Sequence, residues 1–134
     1  MGYTAPGVPM KIFFDVDLTL IYVDAVEDRL RPGVRETFEG LIAIGHQVYV
    51  WSAGGEDYSR RIVHKHGLAD LVVDCFDKDV TVPIKPDMVV DDDWHIVKKY
   101  GGHTVTPYRE RNDSDSEMAR VLEAIHTDHS LGPP

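Results

Sequence analysis

The chain has 134 residues, enough for one domain at roughly 150 residues each. Hydrophobic residues make up 43% and charged residues 28%, a globular balance that excludes a disordered or collagen-like chain. With 14 Lys plus Arg against 23 Asp plus Glu, the net charge is −9. That excludes coating nucleic acid or an anionic membrane through the overall field, and leaves room only for a local basic pocket.

Taken in chain order, residues 1–9 hold two Gly and two Pro without a periodic pattern and read as an N-terminal tail. Lys11-Ile12-Phe13-Phe14 is an apolar run ending on Asp15, read as the first strand. Ile21 to Leu30 leaves room for a hairpin flap. Leu30 to Gly45 reads as a helix with Pro32 in its first turn and Val34, Phe38, Leu41 and Ile42 on one face. Val48 to Trp51 is the second strand, closed by Ser52-Ala53-Gly54-Gly55. Asp57 to His66 is a helix stopped by Gly67. Leu71 to Phe76 is the third strand and Met88-Val89-Val90 the fourth, the latter ending on three aspartates. Trp94 to Tyr100 is a short helix and Thr104-Val105-Thr106 a fifth strand. Ser114 to Glu117 has capping-box spacing and opens a last helix, with Met118, Val121, Leu122 and Ile125 on one face. Residues 130–134 are a second tail, which leaves 10–129 as the folded domain.

Short strands that are apolar throughout, alternating with amphipathic helices, predict an α/β fold: one Rossmann-like domain with a parallel five-stranded sheet and helices on both faces. No apolar run approaches the ~20 residues of a membrane span, and the N-terminus lacks a signal-peptide pattern. The single cysteine, Cys75, lies in an apolar stretch and reads as a packing thiol, which points to a reducing, cytoplasmic setting. His64 and His66 are two apart and do not share a helix face, and His126 and His129 fall near a chain end, so no histidine metal site is expected.

In open parallel sheets ligands bind outside the carboxyl ends of the strands. Those ends carry Asp15-Val16-Asp17-Leu18-Thr19 after the first strand, Ser52-Ala53-Gly54-Gly55 after the second, and Asp91-Asp92-Asp93 after the fourth, with Lys85 just before it. Two carboxylates about 4 Å apart repel by about 4 kcal/mol at an effective dielectric near 20. Protons or a cation must neutralise such a cluster, and oxygen-only ligands suit Mg²⁺. Ser52, the Ala53-Gly54-Gly55 amides and a helix beginning near Glu56 make a donor-rich pocket for an anion, and Lys85 adds a positive point charge. Metal, anion pocket and intervening carboxylate together describe phosphoryl transfer.

With these residues in that order, the chain from about Lys11 to Tyr108 resembles the haloacid dehalogenase superfamily. The family's D-x-D-x-T-[L/V] motif is matched by Asp15-Val16-Asp17-Leu18-Thr19-Leu20, its Ser or Thr by Ser52, its lysine best by Lys85 with Lys78 competing, and its terminal acid pair by Asp91-Asp92. The resemblance implies Asp15 as nucleophile and Asp17 as general acid and then base. It implies Thr19, Ser52, Ala53, Gly54 and Lys85 around the phosphate. Mg²⁺ would bind through Asp15, the Asp17 carbonyl and Asp91, with Asp92 assisting and an Asp92-Asp93 register as the alternative. Leu18 departs from the family's frequent Gly. Neither Ile21–Leu30 nor Asp77–Ile84 is long enough for a cap domain, so an open, capless site is expected. The partner is then a phosphorylated substrate, with no membrane, and nucleic acid only as a substrate end. The competing functions are a phosphate- or metal-binding regulatory module without turnover and, less well matched in motif order, a receiver-type signalling domain. Arg29, Arg31 and Arg35 flank the flap, where they are candidates to hold an anionic substrate, and are read first as solvated or paired with Glu27, Asp28 and Glu36.

Overall fold

The computed structural model describes residues 8–24, 27–79 and 81–129; most of the expected N-terminal tail and all of the C-terminal one lie outside them. In chain order the elements are β1 (Lys11–Asp15), β2 (Ile21–Val23), β3 (Asp28–Leu30), α1 (Val34–Ala43), β4 (Gln47–Ser52), α2 (Glu56–Lys65), β5 (Val72–Asp77), β6 (Met88–Asp91), α3 (Trp94–Tyr100), β7 (Gly102–Thr104) and α4 (Glu117–His129). Five strands form one parallel sheet in the order β5-β4-β1-β6-β7, while β2 and β3 make the flap hairpin. The expected α/β class and parallel sheet are therefore present. Among the described residues no helix is long and apolar enough to cross a membrane.

β1 is the central strand because both of its faces are apolar. Ile12 and Phe14 point into a core shared with Phe38 and Leu41 of α1, Ile62 of α2 and Met118, Val121 and Ile125 of α4. Phe13 points the other way, into a second cluster with Tyr49, Trp51, Phe76 and Val89, against which Ile96, Val97 and Tyr100 of α3 pack. Each such side chain contributes roughly 1.5–3 kcal/mol on burial. Cys75 is buried in β5, and burial pushes its thiol up to about 11, which keeps it a packing group.

Three boundaries differ from the expectation, each for a tertiary reason. The first helix begins at Val34 and not at Leu30, because Leu30 is held in the hairpin opposite Ile21. The last strand is Gly102–Thr104, two residues early, because Gly102 pairs closely with Val89. The last helix begins at Glu117, not at the capping box: the Asp115 carboxylate accepts the Glu117 N–H at 3.1 Å and is otherwise engaged by Arg31.

Gly102 has φ +139°, and a Cβ there would stand 1.9 Å from the Val89 carbonyl oxygen. Gly102→Ala is therefore expected to push β7 off β6 and cost about 2–3 kcal/mol, read as a lower urea midpoint; an unchanged midpoint would show that β7 shifts freely. Glu117 supplies a pH dependence. Its carboxylate is held down to about 2, from an ordinary 4.5, chiefly by Arg120 and then by the Thr106 N–H and hydroxyl. The folded value lies below the unfolded one, so this stabilisation is present above about 4.5 and lost as pH falls toward 2. Glu117→Gln should flatten that part of the acid limb in a stability–pH profile, and an unaltered profile would contradict the linkage.

Candidate active site

The ends of β1 and β6 are adjacent in the sheet, since Phe14 pairs with Val90. Register alone therefore brings Asp15 beside Asp91. Asp15 and Asp91 are both buried, and Asp15, Asp91 and Asp92 each offer a carboxylate oxygen within 4.8 Å of the others. Among the described residues this is where groups able to hold a cation converge.

The three aspartates after β6 have separate roles. Asp91 turns one oxygen to Lys78 at 2.8 Å and accepts the Asp93 N–H on the other at 2.9 Å. The Asp92 N–H donates to the Thr19 hydroxyl at 3.0 Å, and that hydroxyl lies 3.0 Å from Asp15 Oδ2 and 3.3 Å from Asp92 Oδ1. Thr19 is thus the clasp between the β1 loop and the β6 loop. Asp93 caps α3 through the His95 N–H at 2.9 Å. The pair facing the centre is therefore Asp91-Asp92, the register preferred from sequence over Asp92-Asp93.

The lysine at this centre is Lys78. Its ammonium lies 2.6 Å from Asp15 Oδ1 and 2.8 Å from Asp91 Oδ2. Lys85, favoured from sequence, is exposed and makes no ion pair among the described residues; it lines a cleft beside Lys78 instead. The reason is the strand geometry. β5 runs parallel to β4 as far as Asp77 opposite Ser52, and the next N–H, that of Lys78, donates to the Ser52 carbonyl at 3.0 Å. That bond fixes Lys78 at the sheet edge, seven positions before Lys85. The sequence offered no cue that separates the two, since the expected strand ended at Phe76 and both lysines fell in the loop after it.

Ser52 is buried, and its hydroxyl accepts the Gly54 N–H at 2.9 Å. Ala53 and Gly54 are exposed in the turn that leads into α2. A Cβ on Gly54 would stand 2.9 Å from the Tyr58 ring and 3.2 Å from the Ser52 hydroxyl, so position 54 accepts no side chain without moving Tyr58. Asp17 is exposed and stands apart from the carboxylate trio; the Tyr58 hydroxyl donates to its Oδ1 at 2.5 Å. Tyr58 was not foreseen from the sequence, because nothing local distinguishes it from any other residue in the first turn of a helix. Burial, then the Asp17 carboxylate, raises its phenol, keeping it a donor. Leu18 has φ +66°, a left-handed conformation that costs roughly 1–3 kcal/mol outside glycine. Its N–H bonds the Ile21 carbonyl at 2.8 Å and its carbonyl the Tyr108 N–H at 2.7 Å, which hold the turn in place.

Burial, the largest influence, pushes the Asp15 carboxyl above the usual carboxylate range; Lys78 opposes this and Asp91 adds to it. Asp91 is likewise raised, by burial first. Burial alone would lower the Lys78 ammonium, yet the two facing carboxylates leave it raised overall. Three acids with one lysine carry more negative charge than the cluster can neutralise internally. Asp15, Asp91 and Asp92 are hard oxygen donors with no Cys or His among them, a set able to hold a metal ion.

The three arginines that flank the flap are all paired with acids. Arg31 is fully buried, and its guanidinium grips Asp115 at 2.8 and 2.9 Å and the Thr106 carbonyl at 2.7 Å. Arg29 pairs with Glu27, and Arg35 with Asp70 and Glu39. No protein-family model matches the chain, and no curated protein matches it in sequence.

Proposed function

We propose that the chain is a Mg²⁺-dependent phosphomonoester hydrolase of haloacid dehalogenase type, working through an aspartyl phosphate on Asp15 in an open, capless site. The observation that carries this reading is the convergence of Asp15, Asp91, Asp92 and Lys78 at the carboxyl edge of the central strands. A divalent cation bound by Asp15, Asp91 and Asp92 would neutralise the converging carboxylates and offset charge on the phosphoryl oxygens.

Asp15 attacks phosphorus with one carboxylate oxygen while the bond to the ester oxygen breaks. Asp17, protonated, gives its proton to the departing oxygen. As a carboxylate it then takes a proton from the water that attacks phosphorus, the bond to Asp15 breaks, and inorganic phosphate leaves. Tyr58 holds Asp17 in place for both transfers. Lys78 and the Ser52-Ala53-Gly54 turn hold the phosphoryl oxygens. The buried, unpaired Cys75 fits a cytoplasmic setting.

The test is hydrolysis of para-nitrophenyl phosphate with and without Mg²⁺, beside thermal unfolding in the same buffers. Turnover should require the cation, and millimolar Mg²⁺ should raise the melting temperature because it binds the folded state only. Hydrolysis that survives chelation, with no shift in melting temperature, would overturn the reading. Cation binding without turnover on any ester would favour a binding module.

A further inference from the structure

Lys78 borders two sites. Its ammonium holds Asp15 and Asp91, and the residue also lines a cleft of about 450 Å³ between the loop after β5 and the last turn of α3. Lys85, Lys99, Asp79, Val82 and Tyr100 line the same cleft. With the Lys78 ammonium turned to Asp15 and Asp91, the cleft keeps two further lysines, Lys85 and Lys99, against one acid, Asp79, in a chain whose net charge is −9.

Elsewhere Arg31 pairs with Asp115, Arg35 with Asp70, Arg60 with Asp74, Lys65 with Asp28 and Arg120 with Glu117, while Lys11, Arg61, Lys98 and Arg109 make no ion pair among the described residues and share no cleft with one another. Lys85 and Lys99 form no ion pair among the described residues, and Lys99 lies 5.1 Å over the Tyr100 ring. Single lysines in this condition are ordinarily just solvated. Two of them share a concavity that Lys78 also lines, which concentrates positive charge beside the candidate active site. The volume falls within the ~300–1,000 Å³ typical of small-molecule sites and is too small for a folded partner. Val82 and Tyr100 add apolar surface for an organic scaffold.

From this we infer that the cleft is a second anion subsite, and that the substrate is a small phosphomonoester whose leaving group bears a further phosphate, held by Lys85 and Lys99. The inference rests on the hydrolase reading for the first phosphate. The subsite itself requires only the cleft.

The test compares fructose bisphosphate with fructose monophosphate, and para-nitrophenyl phosphate as a probe without a second anion, for the wild type, Lys99→Gln and the Lys85→Gln/Lys99→Gln double variant. The wild type should favour the bisphosphate by about tenfold in kcat/KM, carried by KM, since two partly exposed charge-assisted contacts supply about that factor. The double variant should lose that preference and hydrolyse para-nitrophenyl phosphate at the wild-type rate. An equal bisphosphate preference in wild type and double variant would overturn the subsite, as would loss of aryl phosphate hydrolysis, which would put these lysines in the reaction centre. If no ester is hydrolysed, calorimetric titration of Asp15→Asn with fructose bisphosphate decides separately. Binding that disappears when Lys85 and Lys99 are also replaced keeps the subsite while the hydrolase reading fails; binding that is absent or indifferent to them overturns it.

Discussion

Asp15→Asn is expected to abolish hydrolysis of para-nitrophenyl phosphate, by at least about 10⁴-fold, and to leave no phosphorylated protein. The substitution keeps the shape of the side chain and removes the carboxylate proposed to attack phosphorus. Asp17→Asn is expected to behave differently. Asp15 remains able to attack, and an aryl leaving group of low pKa departs with little help from a proton donor. Water then lacks its base, so the acyl phosphate on Asp15 accumulates. Mass spectrometry after acid quench should find one added phosphoryl group on the Asp17 variant and none on the Asp15 variant. Position supports this division of labour. Asp15 is buried against Lys78, whereas Asp17 is exposed and steadied by Tyr58. Wild-type turnover by the Asp15 variant would sink the assignment of the nucleophile.

Arg31→Met should produce the largest loss of stability, about 3–5 kcal/mol. Arg31 has 1% of its surface exposed, and its guanidinium is the partner of three different segments. It neutralises Asp115 at the entrance to α4, takes the Thr106 carbonyl after β7, and reaches the Thr19 carbonyl in the β1 loop at 3.3 Å. It also lies 5.1 Å from the Tyr108 ring centroid. Removing the cation leaves a half-buried carboxylate and these carbonyls without their donors, and this dominates over the apolar area that Met restores. Arg29→Met, which breaks an exposed pair with Glu27, should change stability by about 0.5 kcal/mol or less. The contrast is read in urea midpoints. A loss under about 1 kcal/mol for Arg31→Met would mean that water enters and replaces the donors.

Much of the framework was legible because it rests on local patterns. Ile12-Phe13-Phe14 is apolar on both faces, which only a strand covered from both sides tolerates, and β1 is indeed central between β4 and β6. The spacing of Val34, Phe38 and Leu41 marked the buried face of α1, and that of Met118, Val121 and Ile125 the buried face of α4. The acids at the ends of β1 and β6 were legible as candidates because a parallel sheet puts those ends on one edge.

Three things were decided only by the tertiary structure. Which lysine meets the carboxylates depends on the register of β5 against β4 and on the bond from the Lys78 N–H to the Ser52 carbonyl; neither can be read from a loop that offers both Lys78 and Lys85. The clustered charges near the flap gave no sign that Arg31 would be buried while Arg29 stays in water, because burial is set by α4 and the loop after β7, far away in sequence. The pairing of Asp17 with Tyr58 depends on how α2 leaves the Ser52-Ala53-Gly54 turn. Periodicity and residue type determined the strands, the helix faces and the acidic edge, since those follow from what each segment must bury. The partners of individual charged side chains were settled by the packing of distant segments, since long side chains choose among neighbours that only the folded chain brings within reach.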